Sequence, residues 1–226
     1  LKTKKYEKHL GKMLSGMLNN MESRGPDSAG FAIYKNEGNK IYKFSLCINN
    51  LNFNIFKKEL SKKIKKIKLN QISDHVILKT EEKPKKILEI LNLNFPEVSI
   101  VGYGKSIEIF KQVGNPKDVV KKFKLADFVG THGIGHTRMA TESAITTDGS
   151  HPYSTGEDEC LVHNGSLSNH NNLRRELTKK GNVFNSENDT EVAAGYISHS
   201  LSNKKSLKDT LTSGLKDLDG FYTFIT

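Results

Sequence analysis

Two glycine-punctuated runs, GIGHTRMATES at 133–143 and LVHNGSLSNH at 161–170, constrain this chain most. Each joins a strand-like apolar stretch to a string of charged and hydrogen-bonding side chains. Such side chains are costly to bury singly. The two runs read as two halves of one site. Two shorter runs have the same character: RGPDSAG at 24–30 and ENDTEV at 187–192.

The bulk properties bound the rest. A chain of 226 residues makes one large domain or two small ones and can bury most of its apolar surface. No apolar run is long enough to span a bilayer, and no apolar stretch near the start resembles a secretory signal, so no membrane partner is expected. The two cysteines, Cys47 and Cys160, lack metal-type spacing. We expect neither a disulfide framework nor a metal centre, and a reducing, cytoplasmic setting. Cys160 sits in an apolar run and reads as packing. The net charge of +10 first suggests nucleic acid. Lysine supplies nearly all of it, however, and Asn and Ile are also abundant, which fits a compositional bias. The densest lysines, at 57–68, read as a solvated helix face without a stacking platform, so no nucleic-acid partner is expected. Against this background the four arginines stand out: Arg24, Arg138, Arg174 and Arg175. Where lysine is the default cation, an arginine suggests a need for the planar fork that binds a carboxylate.

Periodicity places the motifs. Leu10, Met13, Leu14, Met17, Leu18 and Met21 mark an amphipathic helix over about 6–22. Residues 29–34 and 40–47 read as strands around a turn at 36–39. Between 49 and 113 we expect a small lysine-rich α/β insertion, with helices at 53–68 and 84–93 and strands at 76–79 and 98–103. Asn115 and Pro116 open a short helix as cap and first residue. A glycine-interrupted strand covers 131–137. A buried strand over 160–163 ends at an Asn164-Gly165 turn. Ser168 or Asn169 caps a helix over 170–180 that stops at Gly181. Asn188 and Glu191 form a capping box, opening a helix to about Leu201. Residues 221–225 are a last strand.

The chemistry follows from the set. Asn164-Gly165 is on its own an ordinary tight turn. At a strand end, its side-chain amide and glycine N–H can also converge as an oxyanion hole. Arg138 is a surface arginine or, beside glycines and hydroxyls, a carboxylate clamp. Asp189 complements a helix dipole or binds an ammonium group. Together they would answer the three polar groups of an α-amino acid with an amide side chain.

At these residues the chain resembles the glutaminase domains of class II glutamine amidotransferases, over nearly its full length. HTRMATESAITT, HPYSTG, CLVHNGSLSNHNNLRREL and NDTEVAAGY carry the likeness, with KQVGNPKDVVKKF pointing to the glutamate synthase and N-methylglutamate synthase group. The resemblance implies an α+β fold: the four-layer αββα sandwich of N-terminal-nucleophile hydrolases over 1–226, with the insertion inside it. It implies that Arg138 and Thr141 bind the glutamine carboxylate, Asp189 the amino group, and that Asn164 and Gly165 form the oxyanion hole. Met139 would stand in the substrate pocket where sugar-phosphate-forming relatives carry tryptophan. Arg24 and Asp27 would support the site, and His151 would lie near the pocket with no catalytic role. No cofactor is implied, and a synthase subunit or domain would receive the ammonia. The family's nucleophile is an N-terminal cysteine, whereas Leu1 stands first here. We therefore expect a domain cut at both ends, inactive as it stands. The alternative is an inactive glutamine-sensing or scaffolding subunit of a synthase complex.

Overall fold

The computed structural model describes residues 3–35, 38, 40–140 and 143–226. A 3-10 turn, Lys4–His9, leads into α1 (Leu10–Asn20). Then come β1 (Ser28–Tyr34), β2 (Tyr42–Cys47), α2 (Phe53–Lys63), β3 (Lys68–Ile72), β4 (His75–Thr80), α3 (Pro84–Asn94), β5 (Ser99–Gly104), β6 (Ile107–Val113) and α4 (Pro116–Lys122). The second half holds β7 (His132–Arg138), β8 (Tyr153–Gly156), β9 (Glu159–Leu167), α5 (His170–Lys179), α6 (Asp189–Ser202), α7 (Leu207–Asp217) and β10 (Gly220–Ile225).

Three sheets form, ordered β6-β1-β7, β10-β9-β8 and β3-β4-β2-β5. β1 is buried along its whole length, and its two faces serve different layers. Ala29, Phe31 and Ile33 pack under Leu10, Leu14 and Leu18 of α1 and Val119 and Val120 of α4. Ala32 and Tyr34 turn the other way, against Ile109, Val101 and Cys160. Beyond β9, Leu161 and Leu167 pack with Ala193, Ala194 and Ile197 of α6. The layers thus run α1 and α4, first sheet, second sheet, then α5, α6 and α7. This is the expected αββα sandwich. Glycines set one spacing: a Cβ on Gly135 would stand 3.0 Å from Leu18 and 3.1 Å from Leu14, so α1 can lie close on β7.

The four-stranded sheet has its own dry core. Phe44, Leu46, Val76 and Leu78 meet Phe56 and Leu60 of α2 and Ile87 and Leu91 of α3. It draws β2 from before residue 49 and leaves β6, inside 49–113, to the first sheet. β1 and β2 do not pair with each other; they belong to different sheets, and residues 36, 37 and 39 of the expected turn lie outside the described residues. The expected helix at 53–68 stops at Lys63, and Lys68–Ile72 forms β3 against β4, because pairing captures the polar end of the lysine-rich run. The two halves of the fold are stitched at the β5–β6 loop. There the Asp158 carboxylate accepts the backbone N–H groups of Lys105, Ser106 and Ile107 at 2.7–3.0 Å.

Candidate active site

Residues from all four quoted motifs line one cavity of about 500 Å³, between the ends of β7 and β9 and the start of α6. Arg24, Arg138, Met139, Asn164, Gly165 and Asp189 all line it. Thr141 lies outside the described residues. Asp27 stands behind the cavity: its carboxylate accepts the Ala140 N–H at 2.7 Å, and its own N–H donates to the Arg138 carbonyl at 3.1 Å. It therefore bolts down the turn that carries Arg138 and Met139.

Arg138 ends β7 and is buried. Its fork donates to the Ser143 hydroxyl at 2.6 Å, and at 3.4 Å to the carbonyls of Ser143 and Ala144. The guanidinium is thus held by the loop that follows it. Met139 is exposed at the rim. Arg24 is exposed at the edge of the same cavity.

Asn164-Gly165 departs from expectation. The strand does not stop there; β9 continues to Leu167, because the aromatic strand β10 pairs across it, Thr223 with Asn164 and Tyr222 with Gly165. The glycine supplies an irregularity within the strand. Its φ is +135, and a Cβ there would stand 2.0 Å from the Phe221 carbonyl oxygen. Only glycine fits that backbone against β10. Asn164 and Gly165 are nonetheless solvent-facing, while the preceding Leu161, Val162 and His163 are buried.

Asp189 is the first residue of α6. The cap before it, Asn188, accepts the Thr190 N–H at 2.8 Å, and its amide donates to the Gly149 carbonyl at 3.0 Å. The expected reciprocal bond from Glu191 is absent. Its carboxylate instead accepts the N–H groups of Asn185 and Ser186, each at 2.8 Å, and orders the loop ahead of the helix. Arg174 braces the same loop through the carbonyls of Ser186 and Asn188. Asp189 Oδ2 accepts the Leu167 N–H at 2.9 Å, and Oδ1 lies 3.7 Å from His163 Nδ1. One carboxylate oxygen thus ties α6 to the end of β9, and the other faces the histidines. Likewise Asn169, one of the two residues expected to cap α5, stands at the cap but makes no capping bond; its side chain bridges to Asp217 and Asp219.

Three histidines beneath the cavity escaped the sequence reading as a group. Thr190 Oγ1 lies 2.9 Å from His151 Nε2 and 2.8 Å from His163 Nδ1. His136 stacks on His151 with ring centres 4.0 Å apart, and its Nε2 donates to the His163 carbonyl at 3.0 Å. Burial lowers the pKa of all three, that of His136 to about 4 and that of His151 well below its usual value. Asp189 partly offsets the shift at His163. The rings are therefore neutral near pH 7. One nitrogen on each is buried without a hydrogen-bond partner among the described residues. His136, His163 and Thr190 each stand inside a quoted motif, but nothing in their spacing shows that a threonine on α6 would join a ring on β9 to one in the loop before β8, with His136 of β7 stacked on the latter.

The two cysteines lie elsewhere. Cys160 is buried beside the Tyr34 hydroxyl at 3.5 Å, and burial raises its thiol to about 11. Neither Cys47 nor Cys160 lines the cavity. No helix among the described residues is long and apolar enough to cross a membrane.

A family model for a glutamine amidotransferase domain matches residues 126–225, the stretch that supplies most of the cavity. The glutamine amidotransferase-like protein GlxB of Rhizobium meliloti (strain 1021) is 47% identical over 228 residues, covering all of this chain and 76% of that protein. The isomerizing glutamine–fructose-6-phosphate aminotransferase of Pyrococcus horikoshii is 38% identical over 125 residues, but these are 54% of this chain and 21% of the relative. Among solved structures, the glutamine phosphoribosylpyrophosphate amidotransferase from B. subtilis superposes with a TM-score of 0.55 at 19% identity. That superposition covers 95% of this chain and 32% of the B. subtilis chain, and it supports the fold alone. With the match to GlxB along the whole of this chain, the chain belongs to the class II, N-terminal-nucleophile family of glutamine amidotransferases.

Proposed function

We propose that the cavity binds free glutamine and that the domain is a glutaminase module, yielding glutamate and ammonia for a synthase partner of the glutamate synthase type. Arg138, together with Thr141, takes the α-carboxylate. Asp189 takes the α-ammonium, and Asn164 and Gly165 take the side-chain carbonyl. Met139 flanks the substrate, and Arg24 and Asp27 support the site. The observation that carries this reading is the shared cavity of Arg138, Asn164, Gly165 and Asp189. Among the described residues lining it, Met139 has the one apolar side chain, which suits a small zwitterion.

The chemistry requires a nucleophile. An N-terminal cysteine thiolate would attack the amide carbon, with its α-amine carrying the proton. The carbonyl oxygen would become an oxyanion held by the Asn164 amide and the Gly165 N–H. Collapse would expel ammonia and leave a thioester, which water would hydrolyse to glutamate and the free thiol. No cofactor takes part in these steps. No thiol lines the cavity among the described residues, so these 226 residues are expected to bind glutamine without turning it over. A second reading is an inactive subunit that senses glutamine or scaffolds a synthase complex. A cytoplasmic setting belongs to either proposal and rests on the two unpaired cysteines.

One experiment separates the readings. A Cys-Gly-Ile-type strand is fused ahead of Leu1, and glutamate release and glutamine binding are measured beside an active relative. Turnover supports the glutaminase. Binding without turnover supports the sensor. Absence of binding in both forms of the chain overturns both.

A further inference from the structure

Away from the cavity, the end of β2 and the β3–β4 hairpin bring together a second set of chemically capable side chains. Cys47 and His75 are cross-strand partners at the ends of β2 and β4. Cys47 Sγ, a carboxylate oxygen of Asp74 and a ring nitrogen of His75 all lie within 4.8 Å of one another. Cys47 and His75 are buried, Asp74 is partly exposed, and the neighbouring Asn49 is exposed. A path from solvent therefore reaches one side of the cluster.

We propose that Cys47, Asp74 and His75, with Asn49, form a binding site for a divalent transition ion of the zinc type. The donor set is one thiolate, one imidazole nitrogen and two oxygens, which suits that class of ion rather than magnesium or calcium. The spacing is close to that of a bound site. Cys47 Sγ lies 3.2 Å from Asn49 Oδ1, and His75 Nδ1 lies 3.0 Å from Asp74 Oδ1. Ligands at about 2.0–2.3 Å around a tetrahedral ion are roughly 3.3–3.7 Å apart. These two pairs would open by a few tenths of an ångström on binding.

Two surrounding features fit the same assignment. Lys122 Nζ holds the second oxygen of Asp74 at 3.0 Å, which orients the first toward the cluster as an outer partner orients a metal ligand. His75 Nε2 is buried with no hydrogen-bond partner among the described residues. The His75 ring packs against Phe123, with centres 4.9 Å apart, and against Phe110 at 5.7 Å. If Nδ1 donates its proton to Asp74, the Nε2 lone pair faces these rings with no donor. An ion on Nδ1 moves the ring proton to Nε2, where an N–H meets aromatic rings instead. Binding displaces the Cys47 thiol proton to solvent and forms the sulfur–metal bond, with no change in oxidation state.

The test uses the full 226-residue chain, stripped of metal and titrated with Co²⁺ and then Zn²⁺. The proposal expects one Co²⁺ per chain, a near-ultraviolet thiolate-to-cobalt band with strong four-coordinate visible bands, and displacement by Zn²⁺. Cys47→Ser should abolish the thiolate band, while Cys160→Ser should keep it. Asp74→Asn, at a partly exposed position, should weaken Zn²⁺ binding at least tenfold with the circular dichroism spectrum unchanged. Absence of saturable binding overturns the site, as does a thiolate band that survives Cys47→Ser. Undiminished affinity in Asp74→Asn does the same, and it decides the matter if Cys47→Ser does not fold.

Discussion

The four-stranded region and the candidate active site solve opposite problems. Around β2 to β5, Phe44, Leu46, Leu60, Val76, Leu78 and Leu91 are fully buried in a dry core. Beneath the cavity, the interior is polar: His136, His151, His163 and Thr190 contact one another where an apolar core would place aliphatic side chains. The first region is stabilised by area removed from water, a non-directional effect that tolerates small displacements. The second depends on a few directional bonds, and a neutral ring that loses its partner is left at a cost of roughly 1–3 kcal/mol. Stability and recognition should therefore separate by region.

The sharpest way to break that separation is Phe44→Ala. Phe44 is fully buried and stacks on Tyr103 with ring centres 5.8 Å apart. Its truncation should cost about 3–5 kcal/mol in denaturant unfolding. Glutamine affinity, measured by calorimetry under conditions where the variant is folded, should not change. A parallel loss of affinity would mean that the two regions are one energetic unit.

Acid should reveal the polar region next. His136 titrates near 4 in the fold against about 6.5 when unfolded. Between those values the unfolded chain binds more protons. Its contribution is thus complete above about pH 6.5 and is lost as pH falls toward 4. For this one ring the loss is of the order of 3 kcal/mol. His75, in the other region, is also lowered by burial and adds slope of the same sign. The comparison with His136→Gln therefore matters: the variant should flatten the pH dependence of the unfolding free energy in that window. An unchanged slope would place the acid sensitivity at His75 or elsewhere.

Recognition should respond to Arg138→Ala. A charge-assisted pair contributes roughly 1.5–3 kcal/mol, so glutamine should bind about 10–100-fold more weakly. Calorimetry beside an unfolding curve checks both halves of the expectation. A variant that unfolds readily but binds normally would assign Arg138 to the 143–144 loop it already holds.

Legibility in the sequence follows the same divide. Periodicity, caps and prolines located α1, α3, the start of α4 and the strands β4, β5, β7 and β10 to within a few residues, because those signals are local. Leu10, Leu14 and Leu18 announce a buried helix face whatever lies beneath it. The polar strand β3 was missed, since its membership depends on β4 offering a free edge. β8 and α7 went unread, and β1 and β2 looked like a hairpin although they feed different sheets. At the site, arginine scarcity and the motif strings picked out residues that share the cavity. They did not show that β9 continues through Asn164-Gly165, because that continuity depends on β10, over fifty residues later. Nor did they show the histidines joined through Thr190, which depend on three-dimensional packing alone.

The smallest effect tests the finest point, whether Asp189 acts by charge or by tethering. Its Oδ2 accepts the Leu167 N–H, an acceptor role that the amide oxygen of asparagine can take over. Asp189→Asn therefore keeps the tie between α6 and β9 while removing the negative charge. Stability should change by less than about 1 kcal/mol, within the range of a neutral hydrogen bond. Glutamine affinity should fall by about tenfold, near 1.4 kcal/mol, since an ammonium would then meet a neutral oxygen. Asp189→Ala removes both functions and should lose stability as well. If Asp189→Asn binds glutamine as the parent does while Asp189→Ala does not, Asp189 is a tether. The ammonium would then be held by another acceptor at the cavity wall, and Glu187, which also lines it, would be the first to replace.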